Sequence, residues 1–443
     1  MAPAPYPGRA CVIGAGPSGI AAAKALHERG IPFDCFERRS RVGGLWAITD
    51  GEVQASYPSL ECNTSKRKTE FSDFPMPKDY PPYPHNTEMA AYFEAYVDRF
   101  GFRDRITLNT LVEHAERSAE GGWDVRLEPG GTRHYSALVV ANGHHREPRW
   151  PNPPFPGEFA GRQMHAHDFV GSAGFEGRSV VVLGMGNSAM DIAVELSTVA
   201  DTVYLASRRG AHIVPKFALG RPIDTFNTGL PIPWAVKRAF FGLIVRGTIG
   251  RPEDVGLPKP DHRLGEAHPT VSQRITERVR GGAVTPKPNI AVLDGRHVRF
   301  VDGSEVDADV VIYCTGYNVS FPFLNPGVIS TVDNRVDLFH QVFHPDIDNL
   351  MFIGLVQPFG ALMPVAEAQG AWVADHLAGG YRRPSRAAMF AQIKEERRKR
   401  ELQFVASPRH TMEIDFHTYL RGVRRERRRQ SRPGGTRPQP APR

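Results

Sequence analysis

Short apolar runs recur along the chain, and most of them end at a glycine or a charged turn. Because they are apolar at consecutive positions, these runs predict strands that are buried on both faces. They lie at residues 9–14, 33–36, 138–143, 179–184, 202–207 and 309–316. Stretches with helical spacing follow them, at 18–29, 87–100, 187–199, 363–377 and 385–404. The alternation of strands and helices predicts an α/β protein with parallel sheets.

A glycine turn follows the first strand. The turn and the start of the helix behind it comprise Gly14, Gly16, Pro17, Ser18 and Gly19, which give the spacing G-x-G-x-x-G. Glycines at this spacing let the backbone approach a pyrophosphate, which the helix N-terminus then faces. The next strand ends in Glu37, where a carboxylate can bind a ribose hydroxyl group. The sequence therefore predicts a dinucleotide site here.

A second glycine turn of this kind lies in the middle of the chain. Its glycine positions and helix start comprise Gly184, Gly186, Asn187, Ser188 and Ala189. The strand after its helix ends in Ser207, Arg208 and Arg209 rather than in an acid. A guanidinium group fits a 2′-phosphate, which a glutamate would repel, so this turn favours NADPH over NADH. The alternative is a pair of solvated surface arginines. The acid-ended first site suits FAD.

Composition narrows the class of protein. The 443 residues, 41% hydrophobic and 23% charged, are ordinary for a soluble protein of two or three domains. No run approaches the about 18 apolar residues of a membrane span, and the N-terminus lacks the apolar core of a signal peptide. We therefore expect a cytoplasmic protein. The four cysteines show neither zinc spacing nor a C-x-x-C pair, so we expect buried thiols and no metal site.

The net charge of +7 comes from the end of the chain. Residues 421–443 contain nine arginines and one glutamate, so the rest of the chain is close to neutral. Because this segment is rich in Pro and Gly and lacks periodicity, we expect a disordered basic tail. No aromatic residue lies among the arginines, so we expect no nucleic-acid partner, although the tail leaves that alternative open.

The doubled turn predicts two Rossmann-like dinucleotide-binding domains, one inserted into the other. We expect residues 1–157 and 306–420 to form the FAD-binding domain and residues 158–305 the NADPH-binding domain. Residues 215–290 are irregular, which is typical of a segment that covers a site or forms an interface; we call them the cover segment. Two such sites suggest hydride exchange between redox cofactors. The redox cysteine pair of a disulfide reductase is absent from the sequence, so oxygen, a quinone or a partner protein would take the electrons.

At this point the chain resembles the flavin-containing monooxygenases, which are FAD- and NADPH-dependent oxygenases. Their identifying pattern F-x-G-x-x-x-H-x-x-x-[YF] matches Phe159, Gly161, His165 and Phe169, whereas related Baeyer–Villiger monooxygenases have Trp at the last position. Other matching stretches are GAGPSG (Gly14–Gly19), GGLW (Gly43–Trp46), NTSK (Asn63–Lys66), FSDFP (Phe71–Pro75), GMGNSAMD (Gly184–Asp191), CTGY (Cys314–Tyr317) and SPRHT (Ser407–Thr411).

The resemblance implies a reaction. NADPH reduces FAD, and the reduced flavin and O2 form a C4a-hydroperoxyflavin that oxygenates an amine or a sulfide, as in an enzyme of the N,N-dimethylaniline monooxygenase type. Baeyer–Villiger oxidation of a ketone and an NADPH oxidase that releases H2O2 are the alternatives. A cofactor sensor that acts through the basic tail is the non-enzyme alternative. The implied partners are a small-molecule substrate and O2, and a homodimer is left open.

The resemblance also implies site residues. Asn63 would lie beside the flavin and hold its oxygenated form, since an amide donates and accepts at once. The cofactor-binding residues implied in the same way include Gly44, Leu45, Trp46, Thr64, Asp191 and Gln369. A loop Asn that binds backbone groups is the alternative for Asn63, and a solvated helix face is the alternative for Gln369. For His165 we expect a structural rather than a catalytic role.

Overall fold

The computed structural model describes residues 8–48, 55–226, 234–405 and 411–430, and the statements below concern these residues. The helices are α1 (Pro17–Glu28), α2 (Lys66–Thr69), α3 (Asn86–Phe100), α4 (Asn187–Leu196), α5 (Trp234–Ile249), α6 (Arg274–Arg280), α7 (Met363–Leu377), α8 (Arg386–Gln403) and α9 (Phe416–Gln430). The strands are β1 (Ala10–Ile13), β2 (Phe33–Phe36), β3 (Ile106–Thr107), β4 (Leu111–Arg117), β5 (Trp123–Glu128), β6 (Gly131–Tyr135), β7 (Ala137–Val140), β8 (Glu147–Pro148), β9 (Gly157–Phe159), β10 (Arg162–His165), β11 (Ser179–Leu183), β12 (Thr202–Ala206), β13 (Ile213–Val214), β14 (Phe217–Ala218), β15 (Arg221–Pro222), β16 (Thr270–Val271), β17 (Thr285–Lys287), β18 (Ile290–Gly295), β19 (His297–Phe300), β20 (Glu305–Asp307), β21 (Val310–Tyr313), β22 (Tyr317–Asn318), β23 (Leu350–Phe352), β24 (Gln357–Pro358) and β25 (Glu413–Ile414).

The first sheet contains five parallel strands in the order β23-β7-β1-β2-β3. Along β1, Ala10 and Val12 face a core shared with α1, α3 and α7, whereas Cys11 and Ile13 face the antiparallel strands β4, β5 and β6. Because both faces of β1 are covered, an uninterrupted apolar run is what this strand requires. The carboxyl ends of these strands meet at one edge, where the first glycine turn lies.

The second sheet repeats this design with five parallel strands in the order β10-β21-β11-β12-β17. In β11, Val180 and Val182 face a core shared with α4 and α6, and Val181 and Leu183 face the strands β18, β19 and β20. The expected α/β class with two Rossmann-type units is confirmed. We call the part of the chain built on the first sheet the first unit and the part built on the second sheet the second unit.

The boundary that the sequence predicted between residues 305 and 306 is wrong. Strand β21 lies in the second sheet, between β10 and β11, so the second unit extends past residue 306. The predicted cover segment also contains regular structure, because it includes α5, α6 and β17, the edge strand of the second sheet. A buried apolar strand carries no local mark of the sheet that it joins, and the sequence pattern therefore could not assign β21.

Two short strands mark where the chain passes between the units. Strand β8 leads out of the first unit and pairs antiparallel with β22, which leads back from the second. The register places Tyr317 opposite Pro148 and Asn318 opposite Glu147. The two segments that connect the units are thereby hydrogen-bonded to each other.

The basic end of the chain is a correction to the expected disordered tail. Residues 421–430 belong to α9, whose Leu420 and Val423 are buried against neighbouring helices. Arg427 Nε donates to Asp375 Oδ2 of α7 at 2.9 Å. The apolar residues that give α9 a buried face are few among the arginines, and composition alone therefore suggested disorder. Residues 431–443, and residues 406–410 with most of the SPRHT stretch, lie outside the described residues. Among the described helices, none has the length and apolar character needed to cross a membrane.

Candidate cofactor and active site

The first glycine turn is packed tightly against the neighbouring strand end. Gly14 has φ of +98°, and a Cβ there would lie 2.7 Å from the carbonyl oxygen of Ala141, just after β7. A Cβ on Gly19 would overlap the carbonyl oxygen of Gly14. Side chains at these two positions would push the turn open, so the close approach of backbone that a pyrophosphate needs depends on glycine. The turn fits the predicted dinucleotide.

Glu37 lies at the end of β2, beside this turn. Its Oε2 accepts a hydrogen bond from the Ala15 N–H at 2.8 Å, and its Oε1 accepts one from the Arg39 N–H at 3.0 Å. The residue is only 6% exposed. Two backbone donors fix this carboxylate, and each oxygen can accept a further bond. Ribose binding by Glu37 stays a prediction that this geometry permits.

The GGLW stretch is brought against the first turn. Gly43 has φ of +117° and donates its N–H to the carbonyl oxygen of Ala15 at 2.9 Å. Gly44 has φ of +56°, and a Cβ there would lie 2.9 Å from the Cα of Gly16. Leu45 and Trp46, in the single turn that follows, are half-buried. Both glycine-rich stretches therefore line one place in the first unit.

The second glycine turn repeats the first in its backbone. Gly184 has φ of +149°, and a Cβ there would lie 2.6 Å from the carbonyl oxygen of Cys314, just after β21. Gly186 caps the start of α4, and Asn187 Oδ1 accepts a hydrogen bond from the Val271 N–H at 2.8 Å. The N-terminus of α4, including the half-buried Ser188, remains accessible. A second dinucleotide fits here.

Ala189 corrects one of the expected contacts. It is fully buried in the core between α4 and the second sheet. A side chain that touches a ligand needs accessible surface, so Ala189 serves helix–sheet packing rather than direct cofactor binding.

The residues after β12 carry the positive charge of the second site. Arg208 is exposed, and no hydrogen bond or ion pair involves it within the described residues. Arg209 is also exposed, but its Nε lies 3.4 Å from Asp261 Oδ2. Ser207 Oγ is buried without a hydrogen-bond partner among the described residues. An available guanidinium group and an unpartnered hydroxyl group fit a 2′-phosphate.

The loop that carries Asn63 runs from the first unit along the second. The phenol of Tyr57 donates to Asp191 Oδ2 on α4 at 2.8 Å. The N–H of Ser65 donates to Asp224 Oδ2 in the cover segment at 2.6 Å. Asn63 lies between these two ties and is half-buried, and its side chain makes no hydrogen bond with any described residue. Its amide is therefore available to a ligand between the units.

Thr64 and Asp191 have protein partners of their own. Thr64 Oγ1 lies 2.7 Å from Thr69 Oγ1. Burial raises the pKa of the Asp191 carboxyl to about 6, although the hydrogen bond from Tyr57 acts in the opposite direction. Cofactor binding by Thr64 and Asp191 stays a prediction. In the structure each of the two side chains makes a hydrogen bond within the protein.

Gln369 is a second correction. It is fully buried on α7, its Oε1 accepts from the Gly354 N–H at 2.8 Å, and its Nε2 donates to the Tyr419 hydroxyl at 2.6 Å. The amide thus links the end of β23 to α9 behind the first turn, and it has no surface for a cofactor. Glu367, two residues earlier, accepts from Ser72 at 2.6 Å.

The pattern at 159–169 begins inside the second unit, where Phe159 packs beside β11, β19 and β21, and ends at Phe169, which contacts the first unit. His165 is fully buried, its Nδ1 accepts from the His167 N–H at 3.0 Å, and burial lowers its pKa to about 4, so the ring is neutral at pH 7. Phe169 is also fully buried, and its ring centroid lies 5.8 Å from that of Tyr57. This geometry favours the structural role expected for His165.

Sequence reasoning missed the residues that tie the Asn63 loop to the second unit. Asp224 and Lys216 lie in the cover segment, where the sequence matches no motif. Tyr57, Ser59 and Glu61 precede Asn63 at every second position, and this weak alternation was the available signal in the sequence. The partners are far apart in sequence, and only the folded chain shows the contacts.

Comparisons with known proteins identify the family of the chain. The flavin-binding monooxygenase-like family matches residues 8–427. Flavin-containing monooxygenase 5 of Mus musculus is 36% identical, over 92% of this chain and 80% of that protein. Dimethylaniline monooxygenase [N-oxide-forming] 2 of Rattus norvegicus is 33% identical, over 93% of this chain and 81% of that protein.

Solved structures show the same fold. S-allyl-L-cysteine S-oxygenase of Allium sativum has a TM-score of 0.72 and 24% identity, with 98% of this chain and 91% of that chain covered. Cyclohexanone monooxygenase has a TM-score of 0.71 and 18% identity, with 94% and 97% covered. At these identities the solved structures support the fold, whereas the matched family and the relatives above 30% identity establish kinship. The chain therefore belongs to the flavin-binding monooxygenase-like family.

Proposed function

We propose that the protein is a monooxygenase that uses FAD, NADPH and O2 to oxygenate the nitrogen of an amine or the sulfur of a sulfide. NADPH, a proton, O2 and the substrate yield NADP⁺, water and the N-oxide or S-oxide. One oxygen atom enters the substrate and the other leaves as water, and the two electrons of NADPH balance the reaction. Bound FAD supplies the chemistry with oxygen, and the protein supplies binding, orientation and exclusion of water.

The observation that carries the proposal is the Asn63 amide. It lies in a loop held to both units, and its side chain makes no hydrogen bond among the described residues. A donor and acceptor in this position suits a group that develops charge between two cofactors. The expected flavin-side role of Asn63 is consistent with this placement.

The two turns divide the cofactors between the units. The first unit, with Glu37 at its strand end, would hold FAD, and the second, with Arg208 at the corresponding place, would hold NADPH. Leu45 and Trp46 would lie against the flavin side of the first site. Ser207 would add a hydroxyl group to the 2′-phosphate site.

Ketone oxygenation is the less favoured candidate. A relative 33% identical to this chain is named for forming N-oxides, whereas cyclohexanone monooxygenase shares 18% identity. The last position of the pattern is Phe169, buried against Tyr57, whereas Baeyer–Villiger monooxygenases have Trp there.

Location and partners belong to the proposal as well. Cys11, Cys35 and Cys62 are buried free thiols, which suits a reducing compartment such as the cytoplasm. We propose a small-molecule substrate and O2 as partners and no nucleic acid, and a homodimer is a matter for solution measurement.

Replacing Asn63 tests the proposal most directly. In Asn63→Asp, flavin still binds, because the loop ties through Tyr57 and Ser65 remain. Oxygenation of an amine or sulfide falls by about 100-fold, the order of loss when one preorganised donor is removed. NADPH oxidation continues and its electrons appear as H2O2. Product, NADPH and H2O2 are measured together.

The matched control is Asn325→Asp, an exposed asparagine after Leu324 whose replacement leaves the ratio of product to NADPH unchanged. Equal oxygenation by Asn63→Asp and the wild type removes Asn63 from the mechanism. A wild-type protein that releases one H2O2 for each NADPH across a panel of amines, sulfides and ketones overturns the proposed function.

A further inference from the structure

We propose that Asp224 and Lys216 of the cover segment are positioning residues that hold the Asn63 loop and thereby couple NADPH oxidation to oxygenation. The inference rests on the proposed function, because it concerns the placement of Asn63. Neither residue lies in a motif that the sequence singled out, and both contact the loop through side chains.

The loop is tied to the second unit on both sides of Asn63. The ties before Asn63 join Tyr57 to Asp191 at 2.8 Å, Ser59 to Glu195, and Glu61 to Lys216 at 2.9 Å. The tie after it joins the Ser65 N–H to Asp224 at 2.6 Å. The two nearest ties, at Glu61 and Ser65, each stand two residues from Asn63, and both partners lie in the cover segment. This segment therefore restrains the loop two residues from Asn63 on either side.

Asp224 makes a charge-assisted bond to backbone. Its Oδ2 accepts from the Ser65 N–H, which stands at the N-cap of α2, so the bond also sets the direction in which the chain leaves the loop. Its Oδ1 is buried and has no hydrogen-bond partner among the described residues. An unpartnered buried carboxylate oxygen lowers stability, and departures of this kind from the usual pairing of buried polar groups are expected at functional sites.

Lys216 anchors the other side. Its Nζ lies 2.9 Å from Glu61 Oε2, and the side chains of Lys216 and Glu61 are 17% and 26% exposed. The phenol of Tyr83 donates to the carbonyl oxygen of Lys216, and the Tyr83 ring centroid lies 5.2 Å from its ammonium nitrogen. Tyr83 belongs to the first unit. Lys216 is therefore bound to the first unit both through its backbone carbonyl group and through its side chain.

The consequence concerns how electrons are used. A reacting group must be held within a fraction of an ångström of its productive position, and a loop held on both sides loses the freedom to move away. When a tie is removed, Asn63 samples other positions and more of the O2 leaves as H2O2. In that leak NADPH, a proton and O2 yield NADP⁺ and H2O2, and the substrate is unchanged.

The test compares Asp224→Ala with the wild type. Hydrogen–deuterium exchange of the peptide that contains Ser65 becomes about tenfold faster, because the N–H loses a charged acceptor. Product formed per NADPH falls several-fold and H2O2 rises by the missing amount. Flavin content and the rate of flavin reduction by NADPH stay close to the wild type, which separates positioning from loss of structure. After oxygen mixing in a stopped-flow instrument, the oxidised-flavin spectrum returns earlier.

Two variants bracket this result. Asp224→Asn keeps an oxygen that can accept from Ser65, so both its exchange rate and its coupling lie between those of the wild type and Asp224→Ala. Asp254→Ala is the matched control: Asp254 Oδ2 also accepts a backbone N–H, from Arg251 at 3.0 Å, but it is exposed and lies in a turn of the cover segment away from the loop. Its coupling equals that of the wild type.

The outcomes that overturn the inference are distinct from failure of the proposed function. Unchanged exchange at Ser65, or faster exchange with full coupling, overturns the role of Asp224. Wild-type protein that oxygenates no amine or sulfide overturns the proposed function instead. If Asp224→Ala does not fold, Lys216→Gln removes the other tie, and its full coupling overturns the inference by the same measurements.

Discussion

The two glycine turns share a backbone and differ in the charge beside it. Each has a glycine with positive φ, +98° at Gly14 and +149° at Gly184, packed on the carbonyl oxygen of a neighbouring strand end. Beside the first lies the buried carboxylate of Glu37, and beside the second lies the exposed guanidinium of Arg208. The shared backbone explains binding of two dinucleotides. The charge at the end of the next strand explains how the first unit would select FAD and the second unit NADPH.

The turns also differ in how tightly their helices pack. The last position of the spacing is Gly19 in the first turn and the fully buried Ala189 in the second. Two residues further, Ala21 lies against Gly370 of α7, where a Cβ on that glycine would come within 2.9 Å of the Ala21 carbonyl oxygen. The equivalent residue in the second helix is Asp191, which binds Tyr57 instead. Helix α1 therefore packs against α7 of its own unit, whereas α4 is hydrogen-bonded through Asp191 to a residue of the first unit.

The largest expected effect breaks the first turn. Gly19→Ala places a methyl group on the Gly14 carbonyl oxygen, so the turn must open. We expect a protein that retains less than about a tenth of its flavin and loses about 1–3 kcal/mol of unfolding free energy. Flavin absorbance per protein after gel filtration and a denaturant titration measure the two effects.

The reverse change in the second turn, Ala189→Gly, is the control. It leaves flavin content unchanged, because that site lies in the other unit. A Gly19→Ala protein with a full complement of flavin contradicts the tight packing of the first turn.

A smaller effect concerns the choice of nicotinamide cofactor. Arg208→Gln removes the available guanidinium group, and a hydrogen bond to a charged group contributes about 1.5–3 kcal/mol. We expect kcat/KM for NADPH to fall by about 10- to 100-fold and kcat/KM for NADH to change little. Steady-state kinetics with both coenzymes measure this.

Arg209→Gln has a smaller effect on NADPH, since Arg209 is shared with Asp261. Equal losses for NADPH and NADH in Arg208→Gln would remove the arginine from recognition of the 2′-phosphate.

The smallest effect concerns Asp191. Its pKa is raised to about 6 by burial, above the ordinary value of about 4, so the folded state binds this proton more tightly than the unfolded state. Stability from this group is present below about pH 4 and is lost as pH rises to about 6. Asp191→Asn lacks this loss, so the Tm of the variant relative to the wild type rises by about 2–4 °C between pH 4 and pH 6.

Thermal unfolding in a series of buffers measures this difference. Asp254→Asn, at an exposed position, shows none. A constant difference between Asp191→Asn and the wild type over this range means that the carboxyl titrates normally.

Much of the fold could be read from local patterns. Helix α7 spans the residues that periodicity predicted, 363–377, and α1, α3 and α8 begin or end within one or two residues of the predicted bounds. The strand before each glycine turn was also predicted, because burial on both faces demands a continuous apolar run. These features are local, and each follows from a few consecutive residues.

The errors share a different cause. Strand β21 was placed in the wrong unit, residues 421–430 of α9 were expected to be disordered, and Gln369 was taken for a cofactor ligand. In each case the environment of the residues, rather than their type, was decisive. A buried amide and an accessible one have the same letter in the sequence.

The sequence alone was enough to establish two dinucleotide turns and the opposite charges beside them, because glycine spacing and the next strand end are set by residues close together in the chain. The fold was needed to join Ser65 to Asp224 across 159 positions and to show that Asn63 lies between two such ties. Hydrogen bonds between distant residues leave no periodic trace, since either partner could satisfy its polar group elsewhere. The local sequence therefore determines the two glycine turns. The position of the Asn63 loop between the two cofactor sites is determined by tertiary packing.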